Sequence, residues 1–298
     1  MTGWLGNGSG AQILTGHWSR LLEPSLVLAV LLSALLHALW NSFVKVGQDR
    51  LVSVAVICAT GGVLSAPVAL MMPLPGLAGF GFALLSVTTH VAYYFCLVNA
   101  YRFGDLSRVY PLARGLAPPL VAIGAALVAG ERLDVHEVLG VALVSFGIAS
   151  LVVGARGGAE RRGLWFAAAT GATIGIYTII DGLGGRSVPR ALSYIAWLNM
   201  FEGAAVLIAA RARRGPAVWP AMRVALPKGV VAGVMATVGY GIVIYAMSRG
   251  AMAHVSALRE TSVVIAALIG TIVLGEPGFA TRVAAATVVA AGVVVLNS

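Results

Sequence analysis

Charge is scarce in this sequence. Asp, Glu, Lys and Arg together make up 10% of the residues against 59% hydrophobic, and mean hydropathy is +0.92. That leaves too little polar surface to coat a water-soluble particle of 298 residues. A soluble globular protein is excluded, and lipid is the main solvent. Cysteine is nearly absent too: Cys58 and Cys96 lie in apolar stretches without a second ligand at metal-binding spacing, so neither a disulfide nor a metal site is expected and both thiols read as small buried apolar residues. Catalytic signatures are missing. His136-Glu137 lacks the second His of a zinc helix, and no Gly-x-Ser-x-Gly, phosphate loop or paired Asp cluster occurs. A membrane-embedded enzyme would need acids or metal ligands gathered at one interface, whereas the 11 Asp and Glu are scattered over both sides. The expectation is a non-enzyme with no cofactor. Residues 1–23 lack the basic start, apolar run and cleavage site of a signal peptide and read as a flexible tail.

What the chain does have is long apolar runs. They fall near 24–46, 51–72, 76–100, 106–129, 134–154, 163–182, 190–210, 226–248, 254–274 and 280–297. Each approaches or exceeds the roughly 18–20 residues that a helix needs to cross a hydrocarbon core. An all-α membrane protein of ten transmembrane helices is predicted. Glycine, 37 residues in all, sits within these runs, where small side chains let helices approach closely. The basic segment at 155–162 divides the chain into two sets of five helices, 24–154 and 163–298. Five is odd, so a duplicated unit re-enters the membrane from the other side, and the repeats are inverted.

Two matching stretches support duplication. In PLARGLAPPLVAIGAALVAGE and ALRETSVVIAALIGTIVLGE, Arg114 and Arg259 each precede a Gly-Glu pair, Gly130-Glu131 and Gly275-Glu276, by the same spacing. Gly147 and Gly292 then follow those glutamates at equal distances. The net charge of +9 is not a nucleic-acid footprint, because the basic residues lie in connections between apolar runs. Alternate connections hold 13 Lys and Arg on one side and 5 on the other. By the positive-inside rule both termini are expected outside the cytoplasm.

Ionisable groups within the spans are the candidates for function, since each is costly in lipid. Arg114 and Arg259 offer planar donor forks for a carboxylate, approaching a cavity from opposite faces. On the first helix His37, Trp40 and Asn41 share a stripe, and on the third His90, Tyr93 and Tyr94 share a face, each suited to line a cavity. Tyr177 and Tyr240 add to this set. Asp181, Glu202 and Glu260 are possible coupling or ion-pair groups, with a structural pair favoured for the glutamates. Neighbouring positions point about 100° apart, so Arg259 and Glu260 do not both face inward, and one of them is expected to pair. Glu131 and Glu276 read as gate or turn elements.

The run from Tyr110 to Val153 resembles the fourth and fifth helices of the EamA-type family of the drug/metabolite transporter superfamily, and that from Ala257 to Asn297 resembles their repeat. The first-helix LWNSFVK and the Gly-Glu turns extend the resemblance over about residues 24–297. It implies a secondary transporter that exports amino acids or similar zwitterions across the bacterial inner membrane by alternating access, as exporters of the YddG type do for aromatic amino acids. His90 with Tyr93 matches the aromatic and His positions of that type. The first helix carries His37 and Asn41 where small multidrug members carry a Glu, a departure that argues against proton-driven antiport of cationic drugs and leaves uniport or facilitated export open. A drug, purine or nucleotide-sugar carrier on the same scaffold is the rival reading. The implied partners are a small-molecule substrate and the lipid bilayer, without nucleic acid, in a monomer or weak dimer.

Overall fold

A computed structural model describes residues 22–46, 49–103, 106–153, 161–265 and 279–296. The helices are α1 (Pro24–Val46), α2 (Arg50–Met71), α3 (Gly76–Phe103), α4 (Leu106–Ala129), α5 (Val135–Val153), α6 (Arg161–Arg186), α7 (Ala191–Arg214), α8 (Val218–Met247), α9 (Met252–Arg259) and α10 (Phe279–Leu296). A single 3-10 turn, Gly215–Ala217, joins α7 to α8. The described residues contain no strand. Among the described residues, six stretches are long and apolar enough to cross a membrane: Pro24–Asn41, Arg50–Met71, Gly76–Ala100, Leu112–Ala129, Arg162–Arg186, and Ala191–Met247, which covers both α7 and α8. Val135–Ser150 and Val283–Leu296 are shorter apolar helices. Large apolar side chains such as Leu28, Leu70, Leu127, Phe146, Trp165 and Val224 stay exposed on the outer faces, which suits acyl-chain contact.

Helix ends follow local chemistry. Asp49 caps α2, its carboxylate accepting from the Leu51 and Val52 N–H groups at 3.1 and 3.3 Å. Asp134 and Glu137 form a reciprocal capping box at the start of α5. Gly130, at φ 65°, takes the left-handed conformation that ends α4 and turns the chain.

Two boundaries depart from expectation. α8 begins at Val218 rather than near 226, because Pro216 in the 3-10 turn starts a helix that continues through Pro227. The ninth span is not one continuous helix. A turn at Glu260, with Glu260 N–H to Ala257 O at 3.1 Å and Val263 N–H to Glu260 O at 2.9 Å, tightens it immediately after Arg259, and residues 261–265 are helical again.

The principal contacts are α2 with α7, α3 with α6, α5 with α10, α4 with α6, α2 with α8, α1 with α8 and α4 with α5. Exchanging each helix for the one five places away returns pairs that also touch: α3–α6 becomes α8–α1, α4–α6 becomes α9–α1, and α2–α8 becomes α7–α3. The α5–α10 seam shows the same reciprocity. A Cβ on Gly147 would lie 2.8 Å from Val289, and one on Gly292 would lie 2.8 Å from Val144, each partner being three residues before the opposite glycine. The repeated glycine spacing is thus a packing requirement of two helices that face each other.

Candidate functional site

The glycine-lined α2–α7 seam brings polar residues inward. A Cβ on Gly203 would stand 2.6 Å from the Cys58 carbonyl, so the two backbones touch there. This close approach sets Glu202 and Asn199 of α7 beside Cys58 and Gly61 of α2. With His37 and Trp40 of α1, His90, Tyr93 and Tyr94 of α3, Tyr177 of α6, Thr237 and Tyr240 of α8 and Arg259 of α9, they enclose a cavity of about 70 Å³. That is room for several waters. Both halves of the chain contribute to its wall.

Two parts of the cavity wall carry opposite charges. At one, the Arg259 guanidinium lies 4.9 Å from the Tyr240 ring centroid, and no carboxylate comes within 4.0 Å of it among the described residues. At the other, Glu202 accepts a hydrogen bond from the Tyr94 hydroxyl at 2.9 Å, and the same hydroxyl meets Cys58 Sγ at 3.4 Å. A run of rings joins them: Tyr240 to Tyr177 at 6.0 Å, Tyr177 to Tyr93 at 5.6 Å and Tyr93 to Tyr94 at 4.9 Å between centroids. His90 stacks on Tyr177 at 4.1 Å and is held by Ser86, whose hydroxyl and carbonyl lie 3.1 and 3.0 Å from Nδ1.

Two other predicted residues do not line this cavity. Arg114 is turned to Glu260, with 2.8 Å between them and exposures of 3% and 1%, so its charge is spent within the protein. Asn41 turns back on its own helix and donates to the His37 carbonyl at 2.8 Å. Asp181, fully buried behind the wall, accepts from Tyr194 at 2.7 Å and also from Tyr240. The sequence carries a sign of the difference between the arginines. Aligning the repeats on Arg114 and Arg259 sets Gly115 opposite Glu260. Only the second copy therefore has an acid beside its arginine, and that acid crosses to Arg114. Asn199, Cys58, Gly61 and Thr237 were not singled out from sequence. For Asn199 the available signal was its place one turn before Glu202 on the same helix face.

Glu131 sits at the bundle end where the α2–α3, α4–α5, α6–α7 and α8–α9 connections gather. Its Oε1 is 2.7 Å from Arg186, with exposures of 4% and 0%, and both carboxylate oxygens accept from the Met252 N–H at 3.1 and 3.0 Å. Arg186 also donates to the Met247 and Gly250 carbonyls at 2.9 and 2.7 Å. One carboxylate thus ties the α4–α5 turn to α6 and to the start of α9. In the sequence Arg186 is one basic residue among those of the connections, with nothing to mark it as a partner of Glu131. Glu276 lies outside the described residues. A larger void of about 350 Å³ opens at this same end beside Arg186, Arg190 and Arg249. Its lining is mostly turn and helix-end residues, and it includes none of the buried aromatic and polar groups that converge on the smaller cavity.

The helices thus form a bundle with several candidate membrane spans around a charged, aromatic cavity. Comparison with known proteins bears on the kind of protein: residues 161–298 match the model of the EamA-like transporter family. Together with the apolar helices long enough to cross a membrane, this makes the chain similar to multi-pass membrane transporters over its second half. A solved structure described only as "Crystal structure of protein" superposes with a TM-score of 0.71 over 91% of this chain and 94% of that one, at 19% identity, which shows a shared fold. No curated protein matches the chain.

Proposed function

We propose that this chain is a ten-helix carrier of two inverted five-helix repeats, 24–154 and 163–298, that exports amino acids or similar small zwitterions across the bacterial inner membrane by alternating access. The exchange pattern of helix contacts supports the duplication, and the odd helix number per unit supports its inversion. Arg259 carries the substrate reading. It is 5% exposed and lines the cavity without a carboxylate partner among the described residues. An arginine held so deep in the bundle calls for an anion, and a substrate carboxylate supplies one on a planar fork. Tyr93, Tyr177, Tyr240 and His90 provide ring faces for the remainder of the substrate. Arg114 and Glu260 brace the helices that carry this site, and Glu131 closes one end.

The distribution of basic residues supports both termini on the periplasmic side. The Arg214–Asp49 pair, at 2.5 Å, joins two connections on the arginine-rich end assigned to the cytoplasm.

Flux of labelled amino acids in proteoliposomes tests the proposal. Uptake or counterflow above empty vesicles is expected, with Arg259→Met abolishing it while the purified variant keeps its helical content. No flux of any amino acid, alongside thermal stabilisation by purines, nucleotide sugars or cationic drugs, would replace this reading with the rival carrier.

A further inference from the structure

Glu202 is the second charge of the cavity, and nothing above uses it. It is the twelfth of the 24 residues of α7, so it stands about 18 Å along the helix from its start, at mid-membrane depth. A carboxylate there is costly unless a partner offsets it. No Lys, Arg or His lies within 4.0 Å of it among the described residues. The Tyr94 hydroxyl engages only Oε1, at 2.9 Å. Its Oε2 accepts no hydrogen bond among the described residues and, unlike Glu260 Oε2, is not sealed within the protein. The residue is 9% exposed and lines the cavity, so that remaining exposure faces the place a substrate would occupy.

Its surroundings accept hydrogen bonds and offer ring faces. Asn199, one turn earlier on the same face, donates its amide to Ser65 Oγ at 3.1 Å, which leaves its carbonyl oxygen as an acceptor. Thr237 spends its hydroxyl hydrogen on the Gly233 carbonyl at 2.7 Å and keeps oxygen lone pairs. The rings of Tyr93 and Tyr94 stand beside these oxygens. A carboxylate, an amide oxygen and aromatic faces are the groups that bind a protonated amine, whose three N–H donors have no counterpart in a neutral or anionic substrate.

We propose that Glu202, with Asn199, is the ammonium-binding subsite of this carrier and makes it select substrates that bear a protonated amine. The inference rests on the zwitterion reading above and deepens it: Arg259 takes the carboxylate, Glu202 takes the amine, and the tyrosines between them receive the side chain. A site that presents buried acceptors rejects an analogue lacking the donor, because the acceptors are then left dry and unpaired.

The test compares an amino acid with its des-amino carboxylate in proteoliposomes, phenylalanine and 3-phenylpropionate being the first pair. Wild type is expected to move the amino acid with at least tenfold higher kcat/KM. Glu202→Gln is expected to lose that preference by lowering the amino-acid value and sparing the des-amino one, and Glu202→Asp to restore part of it. Tyr94→Phe, which removes the donor to Oε1 and the contact with Cys58 Sγ but leaves the carboxylate in place, is expected to keep the preference and serves if the Gln variant does not fold. The inference is overturned if wild type handles the two compounds alike, if Glu202→Gln keeps the amine preference, or if it lowers both substrates equally, as a proton site or a structural brace would. Absence of flux for every amino acid in wild type is a separate result, and it defeats the zwitterion reading itself.

Discussion

Glu131→Gln is expected to open the bundle end that Glu131 now fastens. The carboxylate accepts from Arg186 at 2.7 Å and from the Met252 N–H at 3.1 and 3.0 Å, and both charged side chains are almost wholly buried. Removing one partner of such a pair costs about 3–5 kcal/mol. Gln keeps an acceptor, and Arg186 retains its bonds to the Met247 and Gly250 carbonyls, so about 2–3 kcal/mol is a better figure here. If the contact exists only while this end is closed, the loss falls on the closed state alone. It then shifts the closed-to-open ratio by about 30- to 150-fold, at 1.4 kcal/mol per tenfold.

The assay is labelling of a single cavity thiol. Cys58 and Cys96 are replaced by Ala, Thr237 by Cys, and a membrane-impermeant maleimide is added from the Glu131 side. Glu131→Gln should raise the labelling rate toward that range, limited by the rate of the fully open form. Replacing both partners, Glu131→Leu with Arg186→Met, should bring the rate back toward that of the parent, because an apolar pair of similar volume substitutes for a buried ion pair at little cost. A variant whose thermal midpoint falls while its labelling rate stays unchanged would refute the gate and leave Glu131 as a static brace.

Other positions give sharper packing and site tests. Arg114→Met strands Glu260 at 1% exposure and should cost about 3–5 kcal/mol, seen as a lower thermal midpoint in detergent, with Glu260→Leu added in the same chain recovering most of it. Gly203→Ala drives a Cβ to 2.6 Å from the Cys58 carbonyl and should lose about 1–3 kcal/mol of stability by circular dichroism melts, whereas Gly81→Ala, with open space around it, should melt like the parent. His90→Phe keeps a ring over Tyr177 and should preserve substrate affinity better than His90→Ala, measured by ligand-induced thermal shift.

Much of the fold was legible because lipid imposes it. A helix that crosses a hydrocarbon core must satisfy its backbone internally and present a long apolar run, so most span limits fall near those read from hydropathy. The two exceptions arise where other rules compete. Pro216 lets α8 start among basic residues that hydropathy discounts, and Glu260 breaks a ninth span that composition alone presents as one run. The site was only partly legible. Sequence identifies the costly residues, since Arg114, Arg259, Glu202 and Glu260 all stand out from their apolar neighbours. It does not say which of them satisfy one another. That depends on rotations of whole helices about their axes, and one helix position, about 100° of rotation, separates Arg259 in the cavity from Glu260 in an ion pair. Cys58 shows the same limit: it is the buried core residue that its apolar setting suggests, but only the glycine seam with α7 shows that it also reaches the cavity wall.

α9 joins the two functional regions in one short element. Its first amide, at Met252, is held by Glu131, and its last residue, Arg259, lines the cavity. Eight residues span about 12 Å, and every one of them is buried, so the segment transmits displacement as a unit. Glu260, next in the chain, ties its far end to Arg114 of α4, the helix whose own end turns into Glu131. α4 and α9 are thus clamped together twice, and a substrate that pulls on Arg259 bears on the Met252 contact. Linkage makes this quantitative. Whatever factor by which a bound substrate changes the open-to-closed ratio at the Glu131 end, opening that end must change the affinity for that substrate by the same factor. In Glu131→Gln, where the open form predominates, the apparent Kd should therefore move by the ratio that saturating substrate produces in the labelling equilibrium of the parent. A large change in one quantity with none in the other would separate the cavity from the gate and remove α9 as the link between them.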